Sequence, residues 1–209
     1  MRQTGQSTCY VVDSDLPWSE EEFDRAGGAF EAATLVGPGG RSRCELRRIA
    51  AGGAVLRTEA EASAGEPASL ELASGQRRSG RIERARSDSI ALSFDEPLDI
   101  VALINRNLIS QPAERRSMPR VELRAPIHVK WAEHLAVASV RNISSAGVQV
   151  EGDELPPQGT LASLFIEGIN LPAAEVVWRR TGLAGFEFFE ELSWASLIAW
   201  VREHGRKPR

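Results

Sequence analysis

The chain has 209 residues, 42% of them hydrophobic and 26% charged, enough for one large domain or two of roughly 100 residues with workable cores. Its composition is that of an ordinary globular protein, and its net charge of −4 argues against indiscriminate binding to nucleic acid or anionic membrane, which needs an excess of basic surface. No apolar run approaches the roughly 18 residues that span a bilayer, and the polar start MRQTGQSTCY lacks a signal-peptide core, so a cytoplasmic protein without membrane insertion is expected.

In chain order, residues 1–25 read as a polar N-terminal tail or a short helix, ahead of the first periodic segment. The segments FEAATLVG, CELRRI, AVLRTEA, ASLELAS, RSGRIERA and SIALSFD follow. They are short, partly alternating and rich in β-branched or other apolar residues, which predicts strands, and DIVALINRNL then predicts a helix. Residues 26–108 thus form one domain. Residues 109 to about 121 contain Pro112 and Pro119 and no apolar period, which predicts a loop. Residues 109–209 form the second domain. Its segments PIHVKW, LAVASVRNIS, GVQVEG, TLASLFIEG, AAEVVWRR and LAGFEFFEE read as strands. SWASLIAWVREHG closes it as a helix, with Trp194, Leu197, Ile198 and Val201 inward, Ser193 as N-cap and Gly205 as stop.

The two halves repeat each other. A shift of 94 positions lays RRIAAGGAVL (Arg47 to Leu56) over RNISSAGVQV (Arg141 to Val150) without a gap. The same shift pairs Gly65 with Gly159, Leu70 with Leu164, Phe94 with Phe188, and Leu103 and Ile104 with Leu197 and Ile198. One register held this long implies a duplicated domain. The expected fold is mainly β: two small six-stranded antiparallel barrels, each followed by a C-terminal α-helix.

Basic residues concentrate between Arg106 and Lys130, where Arg106, Arg115, Arg116, Arg120, Arg124 and Lys130 face only Glu114 and Glu122. Within that stretch stands RRSMPR (Arg115 to Arg120), followed by NISSAG (Asn142 to Gly147). The pair RxxxR and (D/N)xSxxG resembles the PilZ family, and GFEF (Gly185 to Phe188) resembles its closing strand. The resemblance implies a bacterial, non-enzymatic receptor for cyclic di-GMP, with Arg116 and Arg120 as the paired arginines and Asn142, Ser144 and Gly147 as the second motif. Physical chemistry agrees with that assignment. A guanidinium fork binds phosphate bidentately and can stack on guanine or bond its O6/N7 edge, while Asn142 and Ser144, two apart in an extended segment, share a face. Gly147 supplies either a turn conformation or a close backbone approach. The resemblance also implies Arg115 as a third ligand-binding arginine, since in related family members an arginine there accompanies a self-intercalated pair of ligands. Arg124 and Arg141 read as barrel-surface charges.

The first copy keeps the scaffold and loses the motif, with Arg48 in the place of Asn142, Ala50 in that of Ser144, and Glu22 and Ala26 in those of Arg116 and Arg120. It is expected to be a degenerate PilZ-like domain that ignores the nucleotide. Cys9, Cys44 and the three histidines have no metal-ligand spacing, so neither a metal nor a cofactor is expected. The expected output is ordering of the arginine loop and a change in the angle between the domains, read by an unidentified protein target. The alternative is a PilZ scaffold that works through protein contacts without nucleotide.

Overall fold

In the computed structural model the described residues are 7–18, 30–110 and 119–204. The chain divides into two compact units, Met1–Pro119 and Arg120–Arg209. The first unit contains β1 (Cys9–Val11), β2 (Glu31–Gly37), β3 (Gly40–Ala50), β4 (Gly53–Arg57), β5 (Pro67–Leu72), β6 (Arg77–Arg86), β7 (Ser89–Phe94) and α1 (Ile100–Ser110). The second contains β8 (Arg120–Trp131), β9 (His134–Ser144), β10 (Gly147–Glu151), β11 (Leu161–Ile166), β12 (Ile169–Asn170), β13 (Ala174–Arg180), β14 (Leu183–Phe188) and α2 (Trp194–His204).

In the second unit six antiparallel strands close a barrel in the order β8, β9, β10, β14, β13, β11 and back to β8. Strict alternation drives it. In β11 Ala162, Leu164 and Ile166 are buried while Leu161, Ser163 and Phe165 are exposed, so one face of each strand builds the core. Ile127, Val129, Val140, Ile143, Val150 and Val176 are fully buried there. Helix α2 adds Leu197, Ile198, Trp200 and Val201. Trp194, expected on the buried stripe, is only half-buried, and Trp200 takes that place because its indole Nε1–H donates to the Glu167 carbonyl at 2.8 Å. Glu167 belongs to the turn into β12, a two-residue strand too short to announce itself by periodicity.

In the first unit β3 pairs with β2, β2 with β5, β5 with β6, β6 with β7, β7 with β4, and β4 with β3, all antiparallel. Its ladders repeat those of the second unit at the constant shift of 94. Leu46–Leu56, Arg48–Val55 and Ala50–Gly53 reappear as Val140–Val150, Asn142–Gln149 and Ser144–Gly147, with the irregularity at the same step. The irregularity between Ile82 and Arg84 likewise reappears between Val176 and Trp178. Turns repeat too. Gly65 (φ 88°) donates its N–H to the Ile82 carbonyl at 2.7 Å, and Gly159 (φ 83°) does the same to Val176 at 2.8 Å. A positive φ suits glycine because it has no Cβ.

Two expectations are corrected. Residues 1–25 are not simply a polar tail. β1 pairs in parallel with β3, Cys9 opposite Arg48 and Tyr10 opposite Ile49, and Tyr10 and Val11 are buried. Thr8 Oγ1 donates to the Leu46 carbonyl and accepts from the Glu31 N–H, both at 2.8 Å, and the Tyr10 hydroxyl donates to the Glu31 carboxylate. Three residues are too few to show a period, and their hydrogen-bond partners are distant in sequence. The loop expected over residues 109–121 is corrected at both ends, residues 111–118 lying outside the described residues. α1 runs through Ser110 and β8 begins at Arg120, because Val121 and Leu123 are core residues flanking exposed-face Glu122.

Candidate functional site

The second motif lies where β9 turns into β10. Ser144 pairs with Gly147 across the turn and Asn142 with Gln149, so Asn142, Ser144 and Gly147 occupy one end of a single hairpin. The Asn142 side-chain amide Nδ2 donates to Gln149 Oε1 at 2.7 Å, which fixes the amide plane across the ladder. Ser144 is buried, and its hydroxyl donates to the Gly147 carbonyl at 3.4 Å. For Gly147 the structure decides between the two sequence readings. Its φ is not positive, but a Cβ would lie 2.2 Å from the Phe186 carbonyl oxygen, so glycine is required for close approach to β14.

On the opposite side of β9, Val121 pairs with Ile143 and Glu122 with Asn142. The strands are antiparallel, so Arg120 lies one residue further on, level with Ser144. Arg120, Asn142, Ser144 and Gly147 are therefore brought together at one end of the barrel. Arg115 and Arg116 lie outside the described residues.

Three residues near the motif escape sequence reasoning. Glu122 and Gln149 flank Asn142 across both ladders. Gln149 in turn pairs with Gly185, and Gly185 with Trp178. A Cβ on Gly185 would lie 2.1 Å from Trp178 Nε1, so the indole lies directly over this glycine, level with Asn142 and Gln149. Trp178 is half-buried and offers a ring for base stacking beside the motif. The available signal was Gly185 itself, since a glycine inside a strand marks a close approach.

Beside this row stands a charged cluster. Glu151 Oε2 accepts from Arg124 at 2.5 Å and from Arg141 at 3.2 Å. The hydrogen bond from Arg124 is the main reason the Glu151 carboxyl is held below its usual range, with the Arg141 charge adding to it.

A comparison with protein families speaks to the second unit. Residues 114–203 match the PilZ domain family. The match covers both motifs from Glu114 through Gly147 and ends within α2. No curated protein matches the chain. Among solved structures it is similar to PlzA from Borreliella burgdorferi in complex with c-di-GMP, at 10% identity over 81% of this chain and 85% of that one, with a TM-score of 0.33. It is similar also to the Bacillus subtilis inhibitor of motility MotI/DgrA, at 16% identity over 85% and 98%, TM-score 0.33. The Escherichia coli YcgR complex with c-di-GMP is 13% identical over 83% and 81%, TM-score 0.25. In the first unit the places of Asn142 and Ser144 hold Arg48 and Ala50, and only Gly53, at the place of Gly147, keeps its residue type. Arg48, at the place of Asn142, is buried, and β1 runs beside it. Among the described residues no helix is long and apolar enough to cross a membrane.

Proposed function

We propose that the PilZ domain binds cyclic di-GMP and that the protein is a cytoplasmic receptor rather than an enzyme. The observation that carries this reading is the convergence of Arg120, Asn142, Ser144 and Gly147 at one end of a barrel matched to that family. Arg116 and Arg120 bind phosphate and guanine edges through their guanidinium forks, with Arg115 as a third arginine. Asn142, held by Gln149, and Ser144 contribute short polar contacts, and Trp178 a stacking face.

The first unit is, in this reading, a second six-stranded barrel, a degenerate PilZ-like copy over residues 26–108 that lacks a nucleotide site. Its support is the shared register at a shift of 94, irregular steps included. Ligand binding orders the arginine segment ahead of β8 and changes the angle between the domains, creating the surface that an unidentified protein target reads.

Titration calorimetry of the full chain with cyclic di-GMP tests the reading. A charge-assisted hydrogen bond contributes roughly 1.5–3 kcal/mol, and about 1.4 kcal/mol is tenfold in affinity. Arg116→Ala and Arg120→Ala should therefore each weaken binding by tenfold or more without altering the circular dichroism. Flat heats from the wild type at tens of micromolar ligand would favour the nucleotide-independent scaffold.

A further inference from the structure

We infer that Arg141 is a further nucleotide-contacting residue of the PilZ domain and that Glu151 is the positioning residue that holds it in the absence of ligand. The inference rests on the cyclic di-GMP reading above and adds to it a residue that neither motif contains. By simple alternation Arg141 would point away from Asn142, and as a sequence it reads as an unrelated surface charge. The backbone contradicts that. Val140 pairs with Val150 and Asn142 with Gln149, leaving Arg141 as the extra residue of a bulge, and the β8 ladder shifts between Glu122 and Ala125 at the same place. Bulges re-aim side chains. Here Arg141 and Asn142 are both half-buried between Val140 and Ile143, each 0% exposed, so the two consecutive side chains leave the barrel on the same face.

What Arg141 does on that face follows from its partner. Glu151 lies two residues beyond Gln149 on β10, roughly 7 Å along the strand, and so beside the Asn142–Gln149 pair. Its Oε2 is shared: Arg124 holds it at 2.5 Å and Arg141 at 3.2 Å. The Arg141 contact is the longer and weaker of the two, and when Arg141 leaves, Arg124 still neutralises the carboxylate. Arg141 is thus a guanidinium adjacent to the motif asparagine whose departure orphans no partner. An incoming phosphate over Asn142 competes with Glu151 for it, and the two anions cannot both be well served by one fork.

Calorimetry with cyclic di-GMP on the full chain, with the melting temperature of each variant measured alongside, tests this. Arg141→Gln should weaken binding about tenfold, and Arg141→Lys, which keeps the charge, should restore most of the loss. Glu151→Gln should tighten binding severalfold by releasing Arg141. In Arg141→Gln/Glu151→Gln that gain should vanish, a coupling that a purely structural role or a general field effect of Glu151 would not produce. Wild-type heats that Arg141→Gln leaves within twofold overturn the inference alone. So does a Glu151→Gln gain that persists without Arg141. Absence of wild-type heats overturns the cyclic di-GMP reading and this inference with it. Should Arg141→Gln melt at room temperature, Arg141→Lys and Glu151→Gln, compared with each other, decide: Glu151→Gln weakening rather than tightening overturns it.

Discussion

At the scale of single residues, the PilZ motif separates into groups that make contacts and one that makes room. Gly147 belongs to the second kind. A Cβ there would press on the Phe186 carbonyl at 2.2 Å, and backbone of a closed barrel has little freedom to retreat. Gly147→Ala should therefore destabilise the domain by about 2–3 kcal/mol, in the range of overpacking, and weaken ligand binding as a by-product. Chemical denaturation followed by fluorescence checks the first effect, and unaltered stability would mean that the close approach relaxes cheaply. In the proposed receptor Arg115, just ahead of the motif, makes a contact. Two stacked ligands concentrate four phosphates, and an added guanidinium offsets their repulsion and can lie over a guanine face. We expect Arg115→Leu to lower the calorimetric stoichiometry from about two ligands per chain to about one, with a smaller loss of affinity than Arg116→Ala. A wild-type stoichiometry near one would remove the paired ligand.

Among the elements, regular strands and helices were legible and irregular ones were not. PIHVKW and TLASLFIEG alternate openly, and Leu197, Ile198 and Val201 mark α2 by spacing, because a single buried face imposes a period. β1 was not legible, since its three residues gain their place through partners on β3 and at Glu31. Nor was the placing of Arg141 on the same face as Asn142, because a bulge breaks the alternation on which face assignments depend. Trp178 was missed for the same reason, as it follows the irregular step at Val176. The β1 contact carries a pH dependence. Burial raises the Glu31 carboxyl above its ordinary range, against the lowering effect of the Tyr10 hydrogen bond. The folded state therefore takes up this proton before the unfolded chain does. Glu31 contributes most below the usual carboxylate range, and the contribution declines as pH rises through the folded value. Glu31→Gln keeps a hydrogen-bond acceptor for Tyr10 and removes the proton. Urea unfolding of this variant between pH 4 and 8 should show a flatter dependence on pH than the wild type; an identical slope would assign the effect elsewhere.

For the whole molecule, the reading of one competent and one silent copy predicts how binding is distributed. Asn142→Ala combined with Ser144→Ala should remove all cyclic di-GMP heat from the full chain. Half the stoichiometry surviving would make the first unit a working site. The two units also differ on the outer face of corresponding strands. Leu135, Val137 and Phe165 are each more than half-exposed in the second unit, where the first carries Arg41, Arg43 and Glu71, with Arg41 bonded to Glu71. The fold therefore does not dictate the chemistry of that face.

The shared ladder register has a further consequence during synthesis. Two sets of strands paired in the same order, with kinks at the same steps, offer each nascent hairpin two geometrically acceptable docking places in one polypeptide, and neighbouring domains of like topology are prone to exchange strands. Hydrogen bonding alone does not discriminate between them. Discrimination falls to side chains: Cys44, Leu46 and Ile49 pack in one unit where Ala138, Val140 and Ile143 pack in the other, and Arg41 meets its carboxylate only at Glu71, because the swapped position holds Phe165. The difference in side chains between the two units thus acts as an address label, and making Phe165 and Glu71 alike would erase part of it.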